Sequence, residues 1–149
     1  DKLINENIFE SLLKKYNPHR VIIEFNGTED IRNLLQIIHS KKNRDLCKLT
    51  TVFYVADAST CELYLYNMGH MLMPCFQISN LLVLNNVENL NKNDIEKLRK
   101  NIYKLKPKVN ILEVKNLKRI DETMKNSKLF HSGIMKKMDI HLRDLISKL

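Results

Sequence analysis

Four short apolar runs, each followed by a stretch with helical spacing, limit what this chain can fold into more than any other feature. RVIIEF (residues 20–25), the run from Lys48 to about Ala56 (KLTTVFYVA), NLLVLNN (80–86) and VNILEV (109–114) are rich in β-branched and apolar residues. They lack strict alternation with polar positions, so they read as strands buried on both faces.

Helical periodicity fills the intervals. Ile8, Phe9, Leu12, Leu13 and Tyr16 share a face over residues 5–16, and Pro18 stops that helix. Gly27 offers a tight turn, and Thr28 or Asp30 can cap a helix over 31–40. A helical stretch follows over 60–67, and Gly69 and Pro74 interrupt what comes next. Asn91 caps a helix over 92–104, with Asp94 in the first turn where the helix dipole favours an acid. Two further helices, near 120–129 and 134–148, finish the chain. The last places Ile134, Met138, Leu142, Leu145 and Leu149 on one face; packing on its own sheet competes with docking on a membrane surface or a partner helix.

Strand–helix alternation predicts an α/β fold: one domain over residues 1–149, with a mainly parallel sheet and helices on both faces. In such sheets ligands bind beyond the carboxyl ends of the strands. Three strand exits carry polar residues there: Glu24 to Gly27, Asp57, and Asn85-Asn86-Val87-Glu88.

Composition narrows the function classes. The net charge of +8 admits an anionic partner, but the lysines are spread through every segment, and nucleic acid is not the expected ligand. No apolar run approaches the ~20 residues of a membrane helix. The first ten residues show no signal-peptide pattern, which leaves the cytoplasm as the expected location. Cys47, Cys61 and Cys75 form no C-x-x-C pair, and reduced thiols are the simplest reading. A soft site from Cys61, His70 and Cys75 is the alternative to plain packing of HMLMPC. The five histidines make no H-x-x-x-H or H-E-x-x-H pattern, and no G-x-S-x-G is present.

Four segments, in order, resemble the GTPase domain of the CobW-like family, relatives of the urease and hydrogenase nickel-insertion GTPases. NPHRVIIEFNG is similar to the family's Pro-x-x-x-I-I-E-T-x-G, placing Glu24 and Gly27 in an E-x-x-G motif. VFYVADA is similar to the strand ending in Asp-Ala, here Asp57-Ala58. SNLLVLNNVENL resembles Ala-Asp-x-I-V-L-N-K-x-D-L, and LKPKVNI resembles Leu-Asn-Pro-x-Ala-x-Ile. The resemblance covers about residues 17–111, ahead of the C-terminal helices at about 120–148. It implies a P-loop NTPase-like fold, GTP and Mg²⁺ as ligands, and GTP-dependent delivery of a metal to apo-enzymes. It also implies a nucleotide-binding role for Asn85, Asn86, Glu88, Asp57 and Gly27, with Glu24 as the catalytic candidate.

The departures are specific. The family's N-K-x-D loop reads guanine; here Asn86 replaces the Lys and Glu88 the Asp. Glu88 is one methylene longer, which displaces a two-point contact by about an ångström, enough to cost polar discrimination. Glycine occurs only at Gly27, Gly69 and Gly133, so no G-x-x-x-x-G-K-[ST] loop is present, nor the family's Cys-x-Cys-Cys motif. Both would lie upstream of Asp1. Without that loop the chain is expected to be catalytically incompetent alone. The strand feeding the loop is central in P-loop folds, so a sheet lacking the P-loop unit must re-pair. Its edge near Glu24 or Asp57 is then completed by rearranged pairing, a protein partner or a homo-oligomer. A protein-interaction module and a basic nucleic-acid-binding domain are the alternative functions.

Overall fold

The computed structural model describes residues 4–115 and Thr123. Three strands, β1 (Phe53–Asp57), β2 (Leu81–Asn85) and β3 (Asn110–Val114), form one parallel sheet in the order β1-β2-β3. The register sets Phe53 beside Leu81 and Leu81 beside Asn110, and aligns Asp57, Asn85 and Val114 at the carboxyl end. Five helices surround it among the described residues: α1 (Glu6–Tyr16), α2 (Ile31–Ile38), α3 (Cys61–Asn67), α4 (Gly69–Ile78) and α5 (Lys92–Leu105). The class is α/β with a parallel sheet, as the alternation of runs predicts. The two helices expected near 120–129 and 134–148 lie outside the described residues.

Local chemistry fixes the helix starts. Asn5 accepts from the Ile8 N–H, Asp30 from the Arg32 N–H and Asn91 from the Asp94 N–H, each satisfying an orphan donor. Asn17 closes α1 in the left-handed conformation, its N–H donating to Leu13. The turn before α2 is held by Asn26, whose side chain accepts from both the N–H and the hydroxyl of Thr28. No described glycine has a positive φ, so this turn does not demand Gly27.

Two strand expectations need correction. Residues 20–25 are not in the sheet, and Ile22 is 89% exposed. Residues 18–25 make no backbone hydrogen bond, so the apolar run has no ladder to join. The second strand begins at Phe53 rather than Lys48, because Asn80 and Leu81 engage the chain no earlier than Val52. The expected break at Gly69 and Pro74 is also corrected: α4 runs straight through Pro74. Loss of one N–H is outweighed by anchoring, since Cys75 and Phe76 directly after it are buried.

The main core lies on one face of the sheet. Leu82 and Leu84 of β2 pack with Cys61 and Leu65 of α3, Phe76 of α4, and Leu98 and Ile102 of α5. Phe76 is 0% exposed and meets Tyr54 edge-to-face at 5.5 Å between ring centres. Lys106 latches the end of α4, donating to the carbonyls of Phe76, Gln77 and Ser79 at 2.5–3.0 Å. These are carbonyls that a helix leaves unsatisfied. Leu81, Leu112 and Val114 are buried on the other face. A separate cluster of Phe9, Leu13 and Ile38 joins α1 to α2, with Ile23 and Cys47 packed against it.

Candidate functional site

The carboxyl ends of β1 and β2 meet where Asp57 pairs in register with Asn85. Asp57 sits in a short Asx turn: its Oδ1 accepts from the N–H of Ser59 at 2.8 Å and from the Ser59 hydroxyl at 2.5 Å. Its Oδ2 accepts from Nδ2 of Asn86 at 2.6 Å. These donors, the Ser59 hydroxyl first and the Asn86 amide next, hold the carboxyl below its ordinary range. Asp57 is therefore a carboxylate at neutral pH.

Asn86 adopts φ 56°, ψ 34°, a left-handed conformation in which Asn is among the few side chains tolerated. That conformation turns the chain from β2 into a single 3-10 turn, Val87–Asn89, with Val87 buried under the sheet end. Glu88 is exposed and makes no hydrogen bond or ion pair among the described residues. Asn85 ends β2 and gives its carbonyl to the N–H of Ala58, tying the loops after both strands together.

Asp57, Asn85, Asn86 and Glu88 thus share one edge. Glu24 and Gly27 have no bond to that group. Glu24 is exposed and lines a shallow groove of about 520 Å³ against Leu12 and Tyr16 of α1; the groove includes none of the strand-end residues. Gly27 lies beside α4, where a Cβ would meet Leu72 at an ordinary 3.6 Å. Ser59 is the member of the cluster that sequence reasoning missed. The tripeptide Asp57-Ala58-Ser59 carried the signal, since Asp commonly accepts from the N–H two residues on.

The alternative metal set does not assemble. Among the described residues no group of three or more His, Cys, Asp or Glu side chains is placed to hold a metal ion. Cys61 and Cys75 are buried while His70 is exposed. Burial, then the charges of Glu62 and Asp57, pushes the Cys61 thiol up to about 11, the opposite of what a thiolate ligand needs. No helix among the described residues is long and apolar enough to cross a membrane.

A family model described as the CobW/HypB/UreG nucleotide-binding domain matches residues 3–136, most of the chain. No curated protein matches, and no solved structure matches.

Proposed function

The chain belongs to the CobW/HypB/UreG nucleotide-binding family, and from that premise we propose that it is a GTPase-derived domain with an eroded nucleotide site, related to the metal-insertion chaperones and inactive as a hydrolase by itself. The observation that carries this reading is the Asp57–Asn86 hydrogen bond. At the position where the family's base-reading loop has a lysine, an amide is turned back onto the neighbouring strand end. Asn86 has no apolar stem to lie along a base, and its donor is already engaged.

The donor set fits guanine poorly and phosphate not at all. Glu88 is free to accept, but one methylene too long for the two-point contact described above. No glycine-rich loop is present to cradle phosphates, and both oxygens of Asp57 are occupied by Ser59 and Asn86. Glu24 stands exposed in a segment without a ladder. GTP phosphates and Mg²⁺ therefore do not fit the residues present, and hydrolysis has no route through these side chains. The same reading takes residues 1–149 as a single cytoplasmic domain, with metal delivery in its ancestry.

A second reading, a protein-interaction module, is favoured by the sheet edge. Val52 and Ala58 are bonded toward β2, so by alternation the outward N–H and C=O groups of Phe53 and Val55 face no strand. Val55 is 68% exposed.

Phosphate release from GTP with Mg²⁺, at high protein concentration, separates the two outcomes. The expected result is no turnover above buffer background. Turnover that Glu24→Ala abolishes would overturn the proposal.

A further inference from the structure

Two β-prone segments that the sheet leaves out face each other across one cavity. The cavity holds about 1250 Å³, above the usual small-molecule range of roughly 300–1,000 Å³. One wall carries Arg20, Val21 and Ile23; the other is the chain from Leu46 to Thr51, running directly into β1. Residues 18–25 and 48–50 make no backbone hydrogen bond. Both walls therefore present strand-like apolar sequence with unpaired main chain. Val21, Leu46 and Leu49, at 44%, 43% and 37% exposed, hold apolar surface open to the space between.

The charge around this cavity has one sign. Arg20, Lys48 and Lys108 line it without an ion-pair partner among the described residues, and no Asp or Glu lines it at all. Lys14 and Lys106 also line it but are engaged, by Glu10 and by the α4 carbonyls. A cavity with unpaired main chain on two sides, apolar patches and unopposed cations is complementary to an acidic strand.

We propose that this cavity is a docking site for an extended, acidic peptide segment of another protein, which enters as a strand between residues 20–23 and 48–51. Its main chain pairs with the two unladdered walls, its apolar side chains cover Val21, Leu46 and Leu49, and its carboxylates meet Arg20, Lys48 and Lys108. Single-stranded nucleic acid fits less well. Its binding relies on exposed aromatic platforms, and the one aromatic ring lining the cavity, Phe9, is buried in the α1–α2 cluster. The site is distinct from the strand-end cluster at Asp57 and does not rest on the nucleotide reading.

Fluorescence polarisation with two labelled nine-residue peptides tests this: one alternates Val or Thr with Glu, the other has Lys in place of each Glu. The acidic peptide is expected to bind at least tenfold more tightly, with affinity falling as salt rises. In the triple variant R20E/K48E/K108E the preference is expected to reverse toward the Lys peptide, with circular dichroism confirming the fold. Amide hydrogen exchange should slow at residues 20–23 and 48–51 on binding, while the amides of Ser59 and Asn86 stay unchanged. Four results would overturn the proposal: no binding of either peptide, equal binding of both, binding without protection of those two walls, or protection of the walls by a poly-dT oligonucleotide alone. Sedimentation showing the free chain already dimerised through this cavity would assign it to a second copy instead, and so overturn it too.

Discussion

Asn86 reaches across from the end of β2 to hold the Asp57 carboxylate at the end of β1, 2.6 Å from nitrogen to oxygen. The bond joins two residues 29 positions apart in sequence, and it needs the left-handed backbone of Asn86. It converts a potential ligand-facing amide into a fastener between strand ends.

Restoring the family's residues should therefore trade a fastener for selectivity. In Asn86→Lys with Glu88→Asp, the preference for GDP over ADP is expected to rise about tenfold, equivalent to ~1.4 kcal/mol. Titration of both nucleotides against the parent and the variant checks it. A strong GDP preference in the unaltered chain would show that the loop already reads guanine.

Asp57 should impose an acid limb on stability. Its folded-state carboxyl is held below the ordinary value, so the stabilisation is present above the unfolded value near 3.8 and is lost as pH falls through the folded one. Asn86→Gly keeps the left-handed backbone and removes the amide. Carbon-detected titration of the Asp57 carboxyl should then move upward, and the urea midpoint should fall less between pH 4 and pH 2 than in the parent. An unchanged titration would mean Ser59 alone sets the carboxylate.

The alkaline side has the opposite sign. Burial raises the Cys61 thiol to about 11 and the Tyr54 hydroxyl to about 12. Both groups favour the folded state while neutral, and that contribution is complete below the unfolded values. For Cys61 it is lost between about pH 9 and 11, and for Tyr54 between about pH 10 and 12. Cys61→Ser should flatten the first part of that loss. Under native conditions iodoacetamide should modify Cys47, which is half-buried, before Cys61 or Cys75.

Core and latch should separate in size. Phe76→Ala is expected to cost about 3–5 kcal/mol, the usual range for emptying a buried aromatic site. Ile22→Ala, on a side chain almost wholly in water, should fall within about 0.5 kcal/mol of zero. Lys106→Met removes a charged donor from three carbonyls and should cost about 1.5–3 kcal/mol. Chemical denaturation gives all three numbers, and exchange at residues 76–79 should rise only in the Lys106 variant. A cost for Ile22→Ala near that of Phe76→Ala would mean residues 20–25 pack in solution.

Much of this was legible from residues alone, where one residue type had one physical use. Asn5, Asp30 and Asn91 announced their caps, and the buried β2 run needed no partner information. The failures came where a second segment decides. VIIEF is β-prone, but β-propensity expresses fit to a neighbouring strand, and none adjoins it. Pro74 reads as a breaker, yet Phe76 two residues later is pinned in the core, and α4 carries its missing bond. The Lys106 latch was invisible because its carbonyl partners lie 27 to 30 positions away. At the strand ends Asp57, Asn85 and Asn86 were named from sequence, whereas the bond between two of them depends on a register that only the sheet supplies.

The strand order has a bearing on how the molecule is made. Each strand pairs with the next one in the chain, Phe53 with Leu81 and Leu81 with Asn110, so every ladder closes over one βαβ step of roughly 30 residues. No pairing waits for a strand synthesised out of turn, and loop closure over such a span grows only slowly with length. During synthesis β1 can be met by β2 as soon as α4 has emerged, and β3 then adds to the free side. Order of appearance at the ribosome is order of assembly, and residues 20–25, synthesised first, leave the process with nothing yet to pair with.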